Sequence, residues 1–378
     1  MVHRLKFITD KMSMVVLFSC EVSHVSQWLC FAVERNVRKL IIRVDAFDIA
    51  RLPQSIFTCN TLVELRMLSD FVFDIPDSTT CFPSLKLLQI AFQKPDYDLL
   101  QKLFRSCPVL EVLSISVSVN LVGDENVWMF DIMMPTLKRL TIRLYLNLGY
   151  LEGVYKHKFV VTASNLKYLV IEDDLLLNFV VNGRPLLNEV SLDVRLVKSY
   201  FILDGFEVSH DEANRVMKLL RGVNYTKILS LTSNTTNSLN LGFDDNMPTF
   251  PNLIRLETCI DARFGWKLLP HFLNSSSNLE ILILKMVYNQ EYSPEEFIQF
   301  ESESVPSCLR LHLKMIEIRN MEGYKDELEV ISYMLKNSEV LEEFSVDVAA
   351  KDAASKEDLQ RQILMYPRGS VACEIKCL

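Results

Sequence analysis

Pro108-Val-Leu-Glu-Val-Leu-Ser-Ile115 places apolar side chains at Leu110, Leu113 and Ile115, with polar residues in the gaps. The pattern is L-x-x-L-x-(I/L/V). It returns in Pro135-Thr-Leu-Lys-Arg-Leu-Thr-Ile142 and in Ser277-Asn-Leu-Glu-Ile-Leu-Ile-Leu284. With the first apolar position as anchor, further copies begin at Val37, Leu62, Leu85, Leu166, Leu187, Thr226, Leu253, Leu313 and Leu341. Most intervals fall in or near the 20–29 residues of leucine-rich repeats, whose units stack because none can bury its apolar face alone. Pro, Cys, Ser or Asn usually stands just ahead of the anchor.

Each copy predicts a short strand. Residues at anchor +3 and +5 point inward and those at +4 and +6 outward, because side chains alternate across a strand. The return to the next parallel strand takes about 20 residues and crosses the other side, which favours a helix. Helical spacing appears in Ser26-Gln-Trp-Leu-Cys-Phe-Ala-Val-Glu-Arg35, after Asp96, in Gly265-Trp-Lys-Leu-Leu-Pro-His-Phe-Leu273 and in Asp326-Glu-Leu-Glu-Val-Ile-Ser-Tyr-Met-Leu335. A further helix is expected over 355–365. The long interval after Leu187 leaves two readings open, a degenerate copy at Phe201-Ile-Leu-Asp204 or a loop with a helix over 212–220. The acidic, polar stretch 290–303 sets a soft boundary. The expected fold class is therefore α/β, a leucine-rich-repeat solenoid (horseshoe) with a parallel sheet on its concave face.

Composition narrows the function. The chain has 378 residues, 49% of them hydrophobic, and a net charge of −8. Lys and Arg are scattered with no run of four, so nucleic-acid binding through phosphates is not expected. Nine cysteines occur without a CxxC pair, which argues for buried thiols in a reducing, cytoplasmic or nuclear setting over a disulfide framework or zinc site. Cys59 and Cys107 share one repeat position, three residues before the anchor. Met12-Ser-Met-Val-Val-Leu-Phe-Ser-Cys20 mimics a signal peptide, but Asp10 and Phe18 and the lack of a small-residue cleavage site make it a buried strand. No run of about 18 uncharged apolar residues exists, so no membrane span is expected.

Chemistry is hard to find. There is no GxGxxG, no Gly-Lys-Ser/Thr and no GxSxG. The six histidines are scattered, and His210-Asp211-Glu212 reads as a helix start because three consecutive side chains cannot all face one ion. No catalysis, metal or cofactor is expected. What remains is the outward strand face. Its candidate partner-binding residues are Arg43, Arg66, Gln89, Ser114, Arg143, Glu172, Asp193, Glu257, Lys285 and Arg319, with arginines early and carboxylates next. A solenoid presents such a face as its binding surface.

The residues also resemble a family. Trp28-Leu-Cys-Phe-Ala-Val-Glu-Arg-Asn-Val-Arg-Lys-Leu40, Leu52-Pro-Gln-Ser-Ile-Phe-Thr-Cys-Asn-Thr-Leu-Val-Glu-Leu65 and Cys107-Pro-Val-Leu-Glu-Val-Leu113 are similar to repeats of plant F-box/FBD/leucine-rich-repeat proteins. Val305-Pro-Ser-Cys-Leu, Glu317-Ile-Arg319, Glu327-Leu-Glu-Val, Asn337-Ser-Glu-Val-Leu-Glu342 and Leu364-Met-Tyr-Pro-Arg-Gly-Ser370 resemble the FBD module. The resemblance implies the substrate-receptor part of a Skp–cullin–F-box ubiquitin ligase, binding an unidentified protein. It divides the chain into an N-terminal capping strand region (1–27), repeats (28–300) and an FBD-like module continuing the solenoid (301–378). Residues 1–27 contain no proline and no F-box pattern, which gives no basis there for docking the Skp-type adaptor and cullin. A stand-alone repeat adaptor, or a truncated gene product, fits the same residues. A receptor sensing a small molecule on the concave face is the competing class, with Arg43 and Arg66 as its adjacent basic pair.

Overall fold

The computed structural model describes residues 4–7, 13–18, 25–44, 50–68, 71–72, 74–76, 81–92, 97–120, 129–147, 158–174, 178–195, 210–240, 246–261, 266–288, 304–349 and 353–378. The copy expected near Phe201, the stretch 290–303 and Cys20 lie outside the described residues. The chain forms two compact units, Met1–Leu186 and Leu187–Leu378.

The first unit contains β1 (Arg4–Phe7), β2 (Ser13–Phe18), α1 (Val25–Glu34), β3 (Lys39–Val44), β4 (Ala50–Arg51), β5 (Glu64–Met67), β6 (Phe71–Val72), β7 (Leu87–Phe92) and α2 (Tyr97–Arg105). It continues through β8 (Val112–Asn120), β9 (Met129–Met133), β10 (Arg139–Asn147), β11 (Lys158–Thr162), β12 (Tyr168–Asp173) and β13 (Asn178–Val181). The main sheet runs β1-β2-β3-β5-β7-β8-β10-β12. Its pairs are parallel except β1 with β2. The apolar run after Met12 is thus a strand, in register with the first repeat from Ser13↔Lys39 to Phe18↔Val44.

The second unit contains β14 (Glu189–Val194), α3 (His210–Gly222), β15 (Ile228–Leu231), α4 (Ser233–Asn240), β16 (Arg255–Asp261), α5 (Leu268–Ser275), β17 (Ile281–Val287) and α6 (Ser307–Leu311). It ends with β18 (Met315–Met321), α7 (Lys325–Asn337), β19 (Glu343–Val348), α8 (Ala353–Leu364) and β20 (Glu374–Cys377). Strands β14 to β20 follow one another in a parallel sheet. The helices expected from residues 26, 96, 265, 326, 212 and 355 onward are α1, α2, α5, α7, α3 and α8.

The alternation read from the sequence is the burial pattern of the strands. Leu113 and Ile115 are buried while Ser114 and Ser116 are half-buried, and β7 and β12 repeat the scheme. The anchors Leu110, Leu137, Leu253 and Leu341 are fully buried. Each such leucine contributes roughly 1.5–3 kcal/mol by leaving water.

Two hydrogen-bond ladders explain the residues around the anchor. The carbonyl one residue past the anchor accepts two N–H groups of the next repeat: Arg38 O from Val63 (2.8 Å) and Glu64 (3.0 Å), and Lys314 O from Glu342 (2.8 Å) and Glu343 (3.0 Å). The polar residue just before the anchor donates its side chain backwards. Thr136 Oγ1 reaches Leu110 O at 2.8 Å, Asn165 Nδ2 reaches Pro135 O at 2.7 Å and Asn278 Nδ2 reaches Pro251 O at 2.8 Å. Where strand pairing has not begun, these bonds satisfy carbonyls that burial would otherwise orphan.

The crossovers differ from the helical expectation in the middle of the first unit. There β9, β11 and β13 form a second parallel sheet of three strands. Phe130 stacks on Phe159 at 4.6 Å and Phe159 on Phe179 at 5.2 Å, all three buried. The physical reason is the period. Phe130 and Ile132, and Phe159 and Val161, are buried while Met129, Asp131, Val160 and Thr162 beside them are exposed or half-buried, which is the period of a strand.

The short helix α4 was also not expected, since Ser233-Asn-Thr-Thr-Asn-Ser-Leu-Asn240 has no apolar stripe. Its hydroxyls replace a missing length of strand. Strand β15 has only four residues, so on that edge β14 has no strand partner beyond Leu192. Thr235 Oγ1 donates to Leu192 O at 2.9 Å and accepts from Val194 N at 2.8 Å, and Ser238 Oγ donates to Val194 O at 3.2 Å. The second unit needs Ser and Thr there to close backbone groups in a buried place.

The segments that resemble an FBD turn out to be mostly joinery. Cys308 Sγ, fully buried, donates to Leu273 O at 3.3 Å, and burial pushes its thiol up to about 11. Gly369 N donates to Leu335 O at 2.8 Å, tying Pro367-Arg-Gly-Ser370 to the end of α7. A Cβ on Gly369 would stand 2.5 Å from Lys336 O and 3.1 Å from Ser338 O, both backbone atoms that cannot step aside. Gly369→Ala is therefore expected to cost roughly 1–3 kcal/mol, as overpacking does. A chemical-denaturation midpoint within error of the parent would refute this account of the motif.

Candidate functional site

Each unit carries an open strand face whose residues lie in register rows. In the first unit one row runs Ile41, Arg66, Gln89, Ser114, Thr141, Val170, and the next includes Ala91, Ser116, Arg143 and Glu172. Arg43 is exposed at the end of β3, while Arg66, Gln89, Ser114, Arg143 and Glu172 are half-buried. The charges are organised by one another. Arg66 Nε donates to Glu64 Oε1 at 2.6 Å and its NH1 to Gln89 Oε1 at 3.3 Å, while Lys39 Nζ lies 3.1 Å from Glu64. Burial would raise the Glu64 carboxyl, but Lys39 and Arg66 outweigh it and hold the carboxyl below its ordinary value. Arg143 Nε donates to both Glu172 oxygens at 2.9 Å, and Tyr145 Oη donates to Glu172 Oε2 at 3.4 Å. Burial first, and then the Glu172 charge, raise the Tyr145 phenol.

Between Arg66 and Arg143 the face is uncharged, carrying Gln89, Ala91, Ser114, Ser116 and Thr141. Pairs this exposed contribute at most about 1 kcal/mol each to stability. Their main effect is to fix where charge stands beside this neutral stretch.

In the second unit the corresponding residues are Asp193, Glu257, Lys285 and Arg319. Asp193 Oδ1 accepts from Thr232 Oγ1 at 2.6 Å and Asn234 Nδ2 at 2.7 Å, and so holds the entry to α4. Arg319 Nε donates to Glu317 Oε1 at 2.7 Å, and its NH1 reaches Glu257 Oε1 at 3.5 Å. The hydrogen bond that Arg319 donates to Glu317 is the main cause of its raised pKa. Glu257, Ile283 and Glu317 occupy one row on three successive strands, so the Arg319 bridge crosses above Ile283. This explains a departure from the alternation. Ile283 holds an outward position yet is only 2% exposed, and outward Ser345 is only 6% exposed. Lys285 is exposed.

Among the described residues no group of three His, Cys, Asp or Glu side chains could hold a metal ion. The described cysteines are free thiols. Burial first, with neighbouring Cys81 adding to it, pushes Cys107 up to about 12, outside the range of a nucleophile at neutral pH. No helix among the described residues is long and apolar enough to cross a membrane.

Comparison with known proteins agrees with the geometry. A model of the LRR repeats of FBD-associated F-box protein At5g56370 matches residues 25–186, and the FBD model matches residues 299–346. The chain is 30% identical over 372 residues to putative FBD-associated F-box protein At3g50710 of Arabidopsis thaliana, covering 94% of this chain and 79% of that protein. This chain belongs to the FBD-associated F-box/LRR family of plant proteins. Another Arabidopsis thaliana relative is putative F-box/FBD/LRR-repeat protein At5g22670, 28% identical over 380 residues, with 99% of this chain and 81% of the relative covered. Members of the FBD-associated F-box/LRR family are non-catalytic adaptors. The FBD match spans α6, β18, α7 and the first part of β19, whose strands continue the ladder of β16 and β17. Of the signature residues in it, Glu317 and Arg319 face outward, whereas Cys308 and Glu327 are buried in joints.

Proposed function

We propose that this chain recognises another protein through its strand faces, as the substrate-receptor part of a Skp–cullin–F-box ubiquitin ligase in the cytoplasm or nucleus. The observation that carries the reading is the ordered face of the first unit, where Arg66, Gln89, Ser114, Arg143 and Glu172 stand in register rows. Preset charges on such a face give a partner register and specificity more than raw affinity. Arg43 extends this face, and Asp193, Glu257, Lys285 and Arg319 form a second contact surface on the other unit. The module boundaries are the repeats over 28–300 and an FBD-like module over 301–378.

The test is affinity capture from plant extract with the full chain, probed for Skp-type adaptor, cullin and other specific partners. The double variant Arg143→Glu/Glu172→Arg keeps the internal pair but reverses its polarity. Its stability should stay within about 1 kcal/mol of the parent. Specific partners should be lost from the captured set. An unchanged set with a folded variant removes the face of the first unit from the proposal. Partners without adaptor or cullin would favour a stand-alone recognition module.

A further inference from the structure

The whole chain carries −8, yet one margin of the first unit is basic. At the margin where the strands begin, the residues just past each anchor stack one on another. Backbone bonds link Arg38 to Val63, Val63 to Lys86, Lys86 to Glu111, Glu111 to Lys138 and Lys138 to Lys167. Arg38, Lys86 and Lys138 are exposed and Lys167 is half-buried, and the next position along the strands adds Lys39 and Arg139. Against these six cations stand Glu64 and Glu111. Lys86 and Lys138 approach Glu111 from its two sides at 3.2 and 2.8 Å, so their side chains share one surface. Those two lysines hold the Glu111 carboxyl below its ordinary value, Lys138 most. Arg139 lies over the Tyr168 ring at 4.0 Å, which fixes its position along the strip. The same margin of the second unit is balanced: its ladder runs Lys227, Ile254, Glu280, Lys314 and Glu342, and Lys314 Nζ lies 2.9 Å from Glu280.

We infer that this basic margin docks a short acidic segment of the protein partner. The inference rests on the recognition role proposed above and names the chemistry of one part of the partner. Five steps of about 4.8 Å give a strip of about 24 Å, the reach of about seven extended residues. The size favours a segment over a long polyanion. Nucleic acid grips by phosphates along its length, and beyond the strip it meets a molecule of net negative charge. Cations stand on four of the six repeats of the strip (Arg38 and Lys39, Lys86, Lys138 and Arg139, Lys167), and carboxylates spaced along an extended peptide can meet them.

The test uses the full chain and a fluorescein-labelled nonapeptide with Glu at alternate positions and Ser between, followed by anisotropy. Binding should weaken as salt rises from about 50 to about 500 mM, because exposed charges are screened. The triple variant Lys86→Glu/Lys138→Glu/Lys167→Glu should lose about tenfold or more in affinity. The neutral triple Lys86→Gln/Lys138→Gln/Lys167→Gln should move in the same direction with the fold intact. Arg310→Glu/Lys314→Glu, on the second unit, should change nothing. No salt-sensitive binding, or equal loss in the second-unit variant, overturns the inference. So does tighter binding of an oligothymidylate of equal length, which would assign the strip to nucleic acid. Peptide binding reads the margin directly, whereas affinity capture reads partner recognition. Failure of the peptide with capture intact therefore sinks only the margin.

Discussion

Phe159→Ala is expected to cost roughly 3–5 kcal/mol, the range for a fully buried phenylalanine. Phe159 is 0% exposed and holds the middle of the Phe130–Phe159–Phe179 stack. Truncation removes both ring contacts and opens a void between parallel strands whose spacing is set by their hydrogen bonds, so the walls cannot collapse into it. The neighbouring rings also lose their offset-stacked partners, worth about 0.5–1.5 kcal/mol each beyond area burial. The measurement is urea denaturation followed by circular dichroism, with Phe159→Leu as a milder companion. A loss under about 1 kcal/mol for the alanine variant would mean that the three-stranded sheet is peripheral to the stability of the first unit.

The second large effect lies in the FBD segment. Glu327 is 2% exposed, and Oε2 accepts from Gly323 N at 2.7 Å and Tyr324 N at 2.8 Å, while Oε1 accepts from Tyr288 Oη. Tyr288 Oη in turn accepts from Glu322 N at 3.1 Å. The carboxylate thus caps α7 and ties the turn at Gly323, whose φ of +90° suits glycine, to the strand-end residue Tyr288. Glu327→Ala leaves three half-buried donors without this acceptor, and at about 1 kcal/mol or more for each such group the loss should reach roughly 3 kcal/mol.

Glu327→Gln tests the charge separately. Burial raises the Glu327 carboxyl to about 7, against three hydrogen bonds that pull it down. Its pKa in the folded chain is therefore above the ordinary 4.5, and the folded state binds the proton more tightly. Stability from this group is complete below about pH 4.5 and is lost as pH rises through about 7. Gln can keep the two backbone N–H bonds and never ionises. Its stability relative to the parent should therefore rise between pH 5 and pH 8, by on the order of 1–3 kcal/mol. A difference independent of pH would show that the three donors, and not burial, govern the carboxyl.

Both residues show what kind of information the chain carried openly. Glu327 was visible as part of a motif, but its role was not, because a capping carboxylate and a surface carboxylate look alike until the turn at Gly323 is placed. Phe159 sits in Lys158-Phe-Val-Val-Thr162, a short apolar run without alternating polarity, in a place where the repeat rhythm suggested a helix. Its β-branched neighbours favour a strand, and burial alternates only once the three strands pair. The helix α4 gave no such signal. Its Thr235 and Ser238 matter only because β15 ends early, a fact about the neighbour and not about the helix.

The face was legible to a similar degree. Alternation alone located Arg66, Gln89, Ser114, Arg143 and Glu172, because a strand of period two leaves no other choice of face once the leucines are buried. It did not show that Arg319 reaches Glu257 two strands away, nor that this bridge covers Ile283. Cations read as scattered along the chain, with no run of four, became a strip at the margin of the first unit. Residues about 25 positions apart are neighbours only after stacking.

The sequence by itself determined the repeat, the parallel strands, the buried leucines and the outward set, since each follows from spacing and apolarity within a dozen residues. Tertiary structure decided which charges meet, which polar groups close the backbone and where positive charge accumulates. Those outcomes depend on distances between repeats, and no local pattern encodes a distance across the stack.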